Sequence, residues 1–278
     1  MLELPEIETL RRELDREVMG KRIKTVEVPG KSAVSRLPKK QFISRLEGVK
    51  LTSGGRRGVL LVQKLDSAEL MVIDLRQGGQ LRRATAKEPV TKDTQVVITF
   101  TQGGQLRMLD KDKGGLDVWV TTPEELLVEV PELNELGLDP LDEPISWTTF
   151  GHLLLERRAK LKTILTDPSA VAGIGAVYSD EILHGAGLRH DRVSDGLSSQ
   201  EMRRLYRALV ETLHEAAKHR GSTLADGAYA DLSGKPGGFQ SELKVFERDG
   251  QACKRCRGVV AKAKFAGKPV YFCPDCQV

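Results

Sequence analysis

All four cysteines of this chain fall near its end, as Cys253-Lys-Arg-Cys256, sixteen further residues, then Cys273-Pro-Asp-Cys276. Two Cys-x2-Cys knuckles at this separation can set four thiolates tetrahedrally around one Zn²⁺. The residues between them, from Val259-Val260 through Phe265 to Val270-Tyr271-Phe272, read as two short strands turning at Gly267. That pattern describes a zinc ribbon. A pair of disulfides in a secreted protein is the competing use of the same cysteines. The chain opens with no stretch like a signal peptide, and paired knuckles inside cells more often bind metal. Four thiolates leave no position for a substrate, so the expected cofactor is one structural zinc held by Cys253, Cys256, Cys273 and Cys276.

The same stretch is basic. Residues 244–278 carry eight Lys/Arg against three Asp/Glu, net +5, while the other 243 residues carry 35 against 36, net −1. Four thiolates and one zinc would bring the tail to about +3. A basic ribbon on a near-neutral body suits an anionic partner, with nucleic acid the leading candidate and a merely solvated surface the alternative. No long apolar run is present, so no membrane span is expected. At 278 residues the chain has room for two domains, or one domain and an appendage.

Pro5, Glu6 and Glu8 suit the first turn of a helix whose apolar face is Ile7, Leu10, Leu14 and Val18, ended by Gly20. Residues 22–121 then read as strands, at 23–28, 59–63, 70–75, 96–100, 106–109 and 116–120, with glycine pairs at 54–55, 78–79, 103–104 and 114–115 as punctuation. Short strands at this spacing predict a β-sandwich or barrel. After Trp147 the pattern turns helical, first through Phe150, Leu153 and Leu154 into the basic run Arg157-Arg158-Ala-Lys160-Leu-Lys162. Val171-Ala-Gly173-Ile-Gly175 then opens another helix, and its exposed N–H groups could hold a phosphate, although a plain bundle turn fits as well. A further amphipathic helix is expected at 199–217, through Met202, Leu205, Leu209 and Leu213. The Gly-rich stretch 221–238 reads as a mobile lid or a disordered connection.

Taken together the segments resemble the formamidopyrimidine-DNA glycosylase / endonuclease VIII family. The matching pieces are Glu3-Leu-Pro-Glu6-Ile-Glu8-Thr9, Gly55-Arg-Arg-Gly58, Leu75-Arg76 and Val171-Ala-Gly-Ile-Gly175 with Tyr178 and Asp180-Glu181. They continue with Gly234-Lys-Pro-Gly237, Phe239-Gln240 and Phe272-Cys-Pro-Asp-Cys276-Gln277, so the match runs in order along the whole chain. The resemblance implies an α+β fold of a β-sandwich, a helix–two-turn–helix domain and the ribbon; with Thr122-Pro-Glu-Glu and Gly137-Leu-Asp-Pro140 marking 122–147 as linker, the expected domains are 1–121 (with the leading helix), 148–243 and 244–278. It also implies a monomer working in the cytoplasm on double-stranded DNA that is damaged or distorted, or on single strands, and away from membranes. Glu3 and Glu6 are the implied catalytic residues. Arg57, Arg76, Lys162, Gly173, Gly175, Tyr178 and Lys268 are the implied DNA contacts.

The chemistry departs from the family pattern. Family members usually begin Met-Pro-Glu, and the proline amine attacks the sugar; here position 2 is leucine, which disfavours removal of Met1. The family lysine after the Gly-Arg-Arg-Gly run is Val59, the phosphate-binding asparagine after Gly-Ile-Gly is Ala176, and the ribbon arginine is Lys268. The wedge that fills the gap left by a flipped base aligns with Gln77, Asp112 and Gly114. Two readings follow. One is a monofunctional glycosylase in which Glu3 activates water, with weak or absent β-lyase activity. The other is an inactive paralogue that binds damaged or unusual DNA. A zinc-stapled protein–protein adaptor that does not bind DNA is a third, weaker reading.

Overall fold

The computed structural model describes residues 2–111 and 114–278. The expectations of a retained Met1 and of an acidic wedge residue at Asp112 therefore lie outside the described residues. The chain divides into two compact units, one of 1–2, 6–134 and 220–238, the other of 3–5, 135–219 and 239–278.

The first unit carries helix α1 (Leu4–Val18), β1 (Ile23–Glu27), α2 (Lys39–Leu46), β2 (Leu51–Arg57), β3 (Leu60–Leu65), β4 (Leu70–Asp74), β5 (Gly79–Ala84), β6 (Thr94–Phe100), β7 (Gln105–Asp110), β8 (Asp117–Thr121) and α3 (Pro123–Glu129). Its strands form two antiparallel four-stranded sheets, ordered β1-β6-β7-β5 and β2-β3-β4-β8. Alternate residues of the strands point into one apolar core: Val96, Ile98 and Phe100 of β6, Leu106 and Met108 of β7, Met71 and Ile73 of β4, Val118 and Val120 of β8. Ile7, Leu10, Leu14 and Val18 of α1 close over the same core. This is the expected β-sandwich with its leading helix. Gly20 has φ +77°, the left-handed turn that ends α1.

Four elements, α2, β2, β5 and α3, have no counterpart in the sequence reading. Gly54 and Gly55 do not form a turn; they lie inside β2, paired with Gln63 and Val62 of β3. Residues 122–147 hold α3, which opens at Thr122 with a reciprocal capping box to Glu125. The 221–238 stretch is packed. Tyr229 and Leu232 belong to the sandwich core, and Leu232 O accepts the Arg83 N–H at 2.7 Å. Glu6 Oε1 accepts the Ser222 N–H (2.7 Å), Glu13 Oε2 accepts the Leu232 N–H (2.8 Å), and Arg220 bridges Glu13 to the fully buried Asp231. A loop whose backbone donors end on buried carboxylates has little freedom to act as a lid.

Glu8, on α1, sits in a cluster of guanidinium groups: Arg56 at 2.8 Å, Arg11 at 2.9 Å and Arg12 at 2.7 Å. Burial pushes its pKa upward, but the Arg11 and Arg56 charges and hydrogen bonds outweigh burial and hold it at about 2. The folded value lies below the ordinary one, so the stabilisation is present above about pH 4.5 and is lost as pH falls towards 2. Glu8→Gln is expected to cost on the order of 2 kcal/mol at pH 7, discounted for screening, and less than half of that by pH 3. Urea titrations of both proteins across that range test it; a pH-independent difference would rule the charge effect out.

The second unit is helical with a small hairpin: α4 (Trp147–Arg157), α5 (Leu161–Leu165), α6 (Ala176–Ala186), α7 (Ser199–Lys218), β9 (Ala261–Phe265) and β10 (Lys268–Phe272). The basic run 157–162 is not the tail of one helix. Arg158 takes a left-handed conformation (φ +43°) that ends α4, and Lys162 lies in the separate helix α5. Helices α5 and α6, with the turns between them, form the helix–two-turn–helix module. Helix α7 packs on α6, with Ala208 against Gly185, and buries Leu205, Leu209 and Leu213. Strands β9 and β10 pair antiparallel across Ala266 (φ +49°) and Gly267 (φ +79°), the two positive-φ positions that a tight hairpin turn requires.

Candidate nucleic-acid interface and metal centre

The turn 173–175 leaves the first N–H groups of α6 without helical acceptors, as any helix start does. Glu3 fills this place. Its Oε2 accepts the N–H groups of Gly175 (2.7 Å) and Tyr178 (3.2 Å), and its Oε1 accepts that of Val177 (2.9 Å). The Leu4 N–H reaches Gly173 O at 2.8 Å, which pins the segment from the other side. Glu3 is only 6% exposed. A Cβ on Gly175 would lie 2.7 Å from the Glu3 carboxylate, so only glycine allows this approach. The anion at the helix start is thus the protein's own carboxylate, favoured by the positive end of α6. Of the two glycines expected to seat a phosphate, Gly175 gives its N–H to Glu3, and Gly173 accepts the Leu4 N–H through its carbonyl.

Tyr178 is fully buried, its ring 5.8 Å from that of Phe239. Lys162 is also buried. Its Nζ lies 2.5 Å from Asp180 Oδ1 and 3.0 Å from Ser179 Oγ, so its charge is held by a side chain where the sequence suggested a phosphate. Burial pushes Asp180 up to about 6 despite Lys162, and its second oxygen accepts the Tyr271 N–H of the ribbon at 3.0 Å. Glu181, equally buried and raised by burial, accepts the N–H groups of Lys244, Val245 and Phe246 at 2.9–3.0 Å. The sequence offered Asp180-Glu181 only as a matching dipeptide. Their backbone donors lie 63 to 91 residues away, beyond any local pattern.

In the first unit Glu6 is 3% exposed and anchors the 221–238 segment as described. Arg57 is exposed at the end of β2 and donates to Leu133 O at 3.4 Å. Arg76 is exposed but bonds Asp74 and Asp117, both at 3.0–3.3 Å. Leu2 and Val59 are partly buried against the sandwich core. Gln77 and Gly114 are exposed.

The four cysteine sulfurs lie within 4.8 Å of one another, with pairs at 3.2–3.5 Å. A tetrahedral site with Zn–S near 2.3 Å has sulfurs about 3.8 Å apart, so the residues fit one structural Zn²⁺. Cys253 and Cys273 are buried, whereas Cys256 is exposed. Lys262, Lys264 and Lys268 are exposed on the hairpin, and Lys254, Arg255 and Arg257 are exposed on the first knuckle. One buried group beside the site was not anticipated: His184 of α6, with Nε2 3.4 Å from Cys253 Sγ. A lone histidine on a helix face gives no sequence signal of such a role. Among the described residues no helix is long and apolar enough to cross a membrane.

Three family models match the chain: the formamidopyrimidine-DNA glycosylase N-terminal domain over residues 1–115, its H2TH domain over 136–227, and the zinc finger found in FPG and IleRS over 250–278. The formamidopyrimidine-DNA glycosylase of Heliobacterium modesticaldum is 37% identical over 280 residues, covering 100% of both chains. That of Desulfitobacterium hafniense is 36% identical over 279 residues, again covering 100% of both. Among solved structures, the Lactococcus lactis Fpg in complex with DNA containing an abasic site matches with a TM-score of 0.88 at 29% identity, covering 99% of each chain. The same protein with DNA containing Fapy-dG matches with a TM-score of 0.85 at the same identity and coverage.

Proposed function

The chain belongs to the formamidopyrimidine-DNA glycosylase family, and from that premise we propose that it binds damaged DNA and releases the damaged base by hydrolysis, with little or no strand cleavage. Glu3 is the carboxylate that carries the reaction in this reading. The observation behind it is the grip of Gly175, Val177 and Tyr178 on that side chain, which fixes a negative charge in one place and orientation. A fixed anion stabilises the positive charge that grows on the sugar as the N-glycosylic bond breaks, and it orients the attacking water. The covalent branch lacks its parts. Position 2 is leucine, packed against the core, and Val59 stands where a cation would reach towards the DNA. The exposed lysines of the ribbon, Lys268 among them, and the exposed Arg57 are the proposed phosphate contacts.

Glu3→Gln tests this reading. Base release from duplexes carrying oxidised or ring-opened purines is expected to fall by about 10²–10⁴-fold, with DNA affinity within about threefold. Borohydride is expected to trap no adduct of the unaltered protein on an abasic duplex. A trapped adduct would overturn the hydrolytic assignment. A second reading, a non-catalytic binder, is favoured by the same three N–H bonds, because a carboxylate so engaged is a weak base. It is upheld if neither form releases a base while both bind. Glutamine would also set an amide N–H₂ against a backbone N–H, so melting curves must accompany the assay.

A further inference from the structure

We propose that His184 is a positioning residue for the zinc ligand Cys253, and that its ring N–H, donated to that thiolate, sets how long the ribbon keeps its metal. The inference is independent of the proposed reaction. His184 lies on α6 and is 1% exposed, with Nε2 3.4 Å from Cys253 Sγ. A zinc-bound thiolate has no proton and can only accept, so Nε2 must be the protonated nitrogen. The other tautomer would set the Nε2 lone pair against the sulfur and bury a bare Nδ1–H, since Nδ1 has no hydrogen-bond partner.

The donor is placed where it matters. Four thiolates on one zinc carry a net charge of about −2. Cys256 is exposed and water can solvate its share, but Cys253 is only 2% exposed. Its sulfur takes the Arg255 backbone N–H at 3.4 Å and the His184 ring, and these donors stand in for water. His184 also shares its helix with two other ribbon anchors. Asp180 accepts from Tyr271, and Glu181 accepts from residues 244–246. These hold the ribbon on α6 without the histidine. Removing the ring should therefore affect the metal first and the docking second.

The test uses the zinc-loaded full chain. Zinc transfer to a chromophoric chelator is expected to be about tenfold faster in His184→Phe, which keeps an aromatic ring and loses the donor. In His184→Gln, whose amide N–H₂ can reach the Nε2 position, the rate should stay within about threefold of the original. In the unaltered protein, nitrogen-15 spectra should show His184 protonated at Nε2, with a coupling across the hydrogen bond to cadmium-113 substituted for zinc. An Nδ1–H tautomer, or His184→Phe releasing zinc at the unaltered rate, would overturn the proposal. If His184→Phe does not fold, the tautomer and the coupling decide alone.

Discussion

Chelating the zinc out of the native protein should unfold residues 250–278 and weaken DNA binding by at least about tenfold, with both recovered on adding zinc back. Apart from its anchors on α6, the ribbon has little internal structure to hold it. Its only regular structure is the two-stranded β9–β10 sheet, five residues a side, and an isolated hairpin of that size is marginal in water. Zinc bound by four thiolates contributes about 10–16 kcal/mol, comparable to the whole stability of a domain. The effect should spread into the second unit. Asp180 and Glu181 are buried, and they are satisfied by N–H groups of Tyr271 and of residues 244–246. When the Tyr271 donor leaves with the ribbon, Asp180 loses its backbone partner and keeps only the Lys162 ion pair. Binding should suffer because Lys262, Lys264 and Lys268 sit on the hairpin that melts. Amide exchange of Val270, Tyr271 and Phe272, followed with and without chelator, reads the unfolding. Persistent protection in the metal-free protein would mean that packing, not metal, holds the ribbon.

The ribbon was legible in the sequence because four cysteines at fixed spacing leave few alternatives, and the sandwich core because alternate strand residues must share a face. Strand β2 was not. Leu-Thr-Ser-Gly-Gly-Arg-Arg carries no β signal of its own and is a strand because β3 offers it a partner. At the candidate site the sequence offered a phosphate seat or a plain bundle turn and gave no sign of a carboxylate. The helix start near Gly175 does face an anion, but the anion is Glu3, 172 residues away in sequence. Nothing local to Val171-Ala-Gly-Ile-Gly175 says so, although the demand for glycine there, with a Cβ 2.7 Å from the carboxylate, is its consequence. His184 and the Glu13–Arg220–Asp231 bridge were silent for the same reason: each is defined by partners brought together only by the fold.

Lys162, which the resemblance implies as a DNA contact, sits in a buried ion pair with Asp180, and Lys162→Met is expected to destabilise the second unit by about 3–5 kcal/mol, the usual result of stranding one member of such a pair. Asp180 would remain 1% exposed with the Tyr271 N–H as its main support. Burial already holds its pKa at about 6 with the cation in place, and without it the value rises further. A carboxyl whose folded pKa exceeds its unfolded one stabilises fully below the unfolded value, near 3.8, and that contribution disappears as pH rises through the folded value. The deficit of Lys162→Met should therefore be larger at pH 8 than at pH 5. Adding Asp180→Asn should recover about 2 kcal/mol at pH 8, because an amide oxygen can still accept from Tyr271 and no charge is stranded. Urea melts at the two pH values measure both effects. A lysine engaged with a phosphate would behave in the opposite way: its loss would leave stability intact and lower the salt slope of DNA binding by about one. Unchanged melts together with a reduced slope would return Lys162 to the DNA interface.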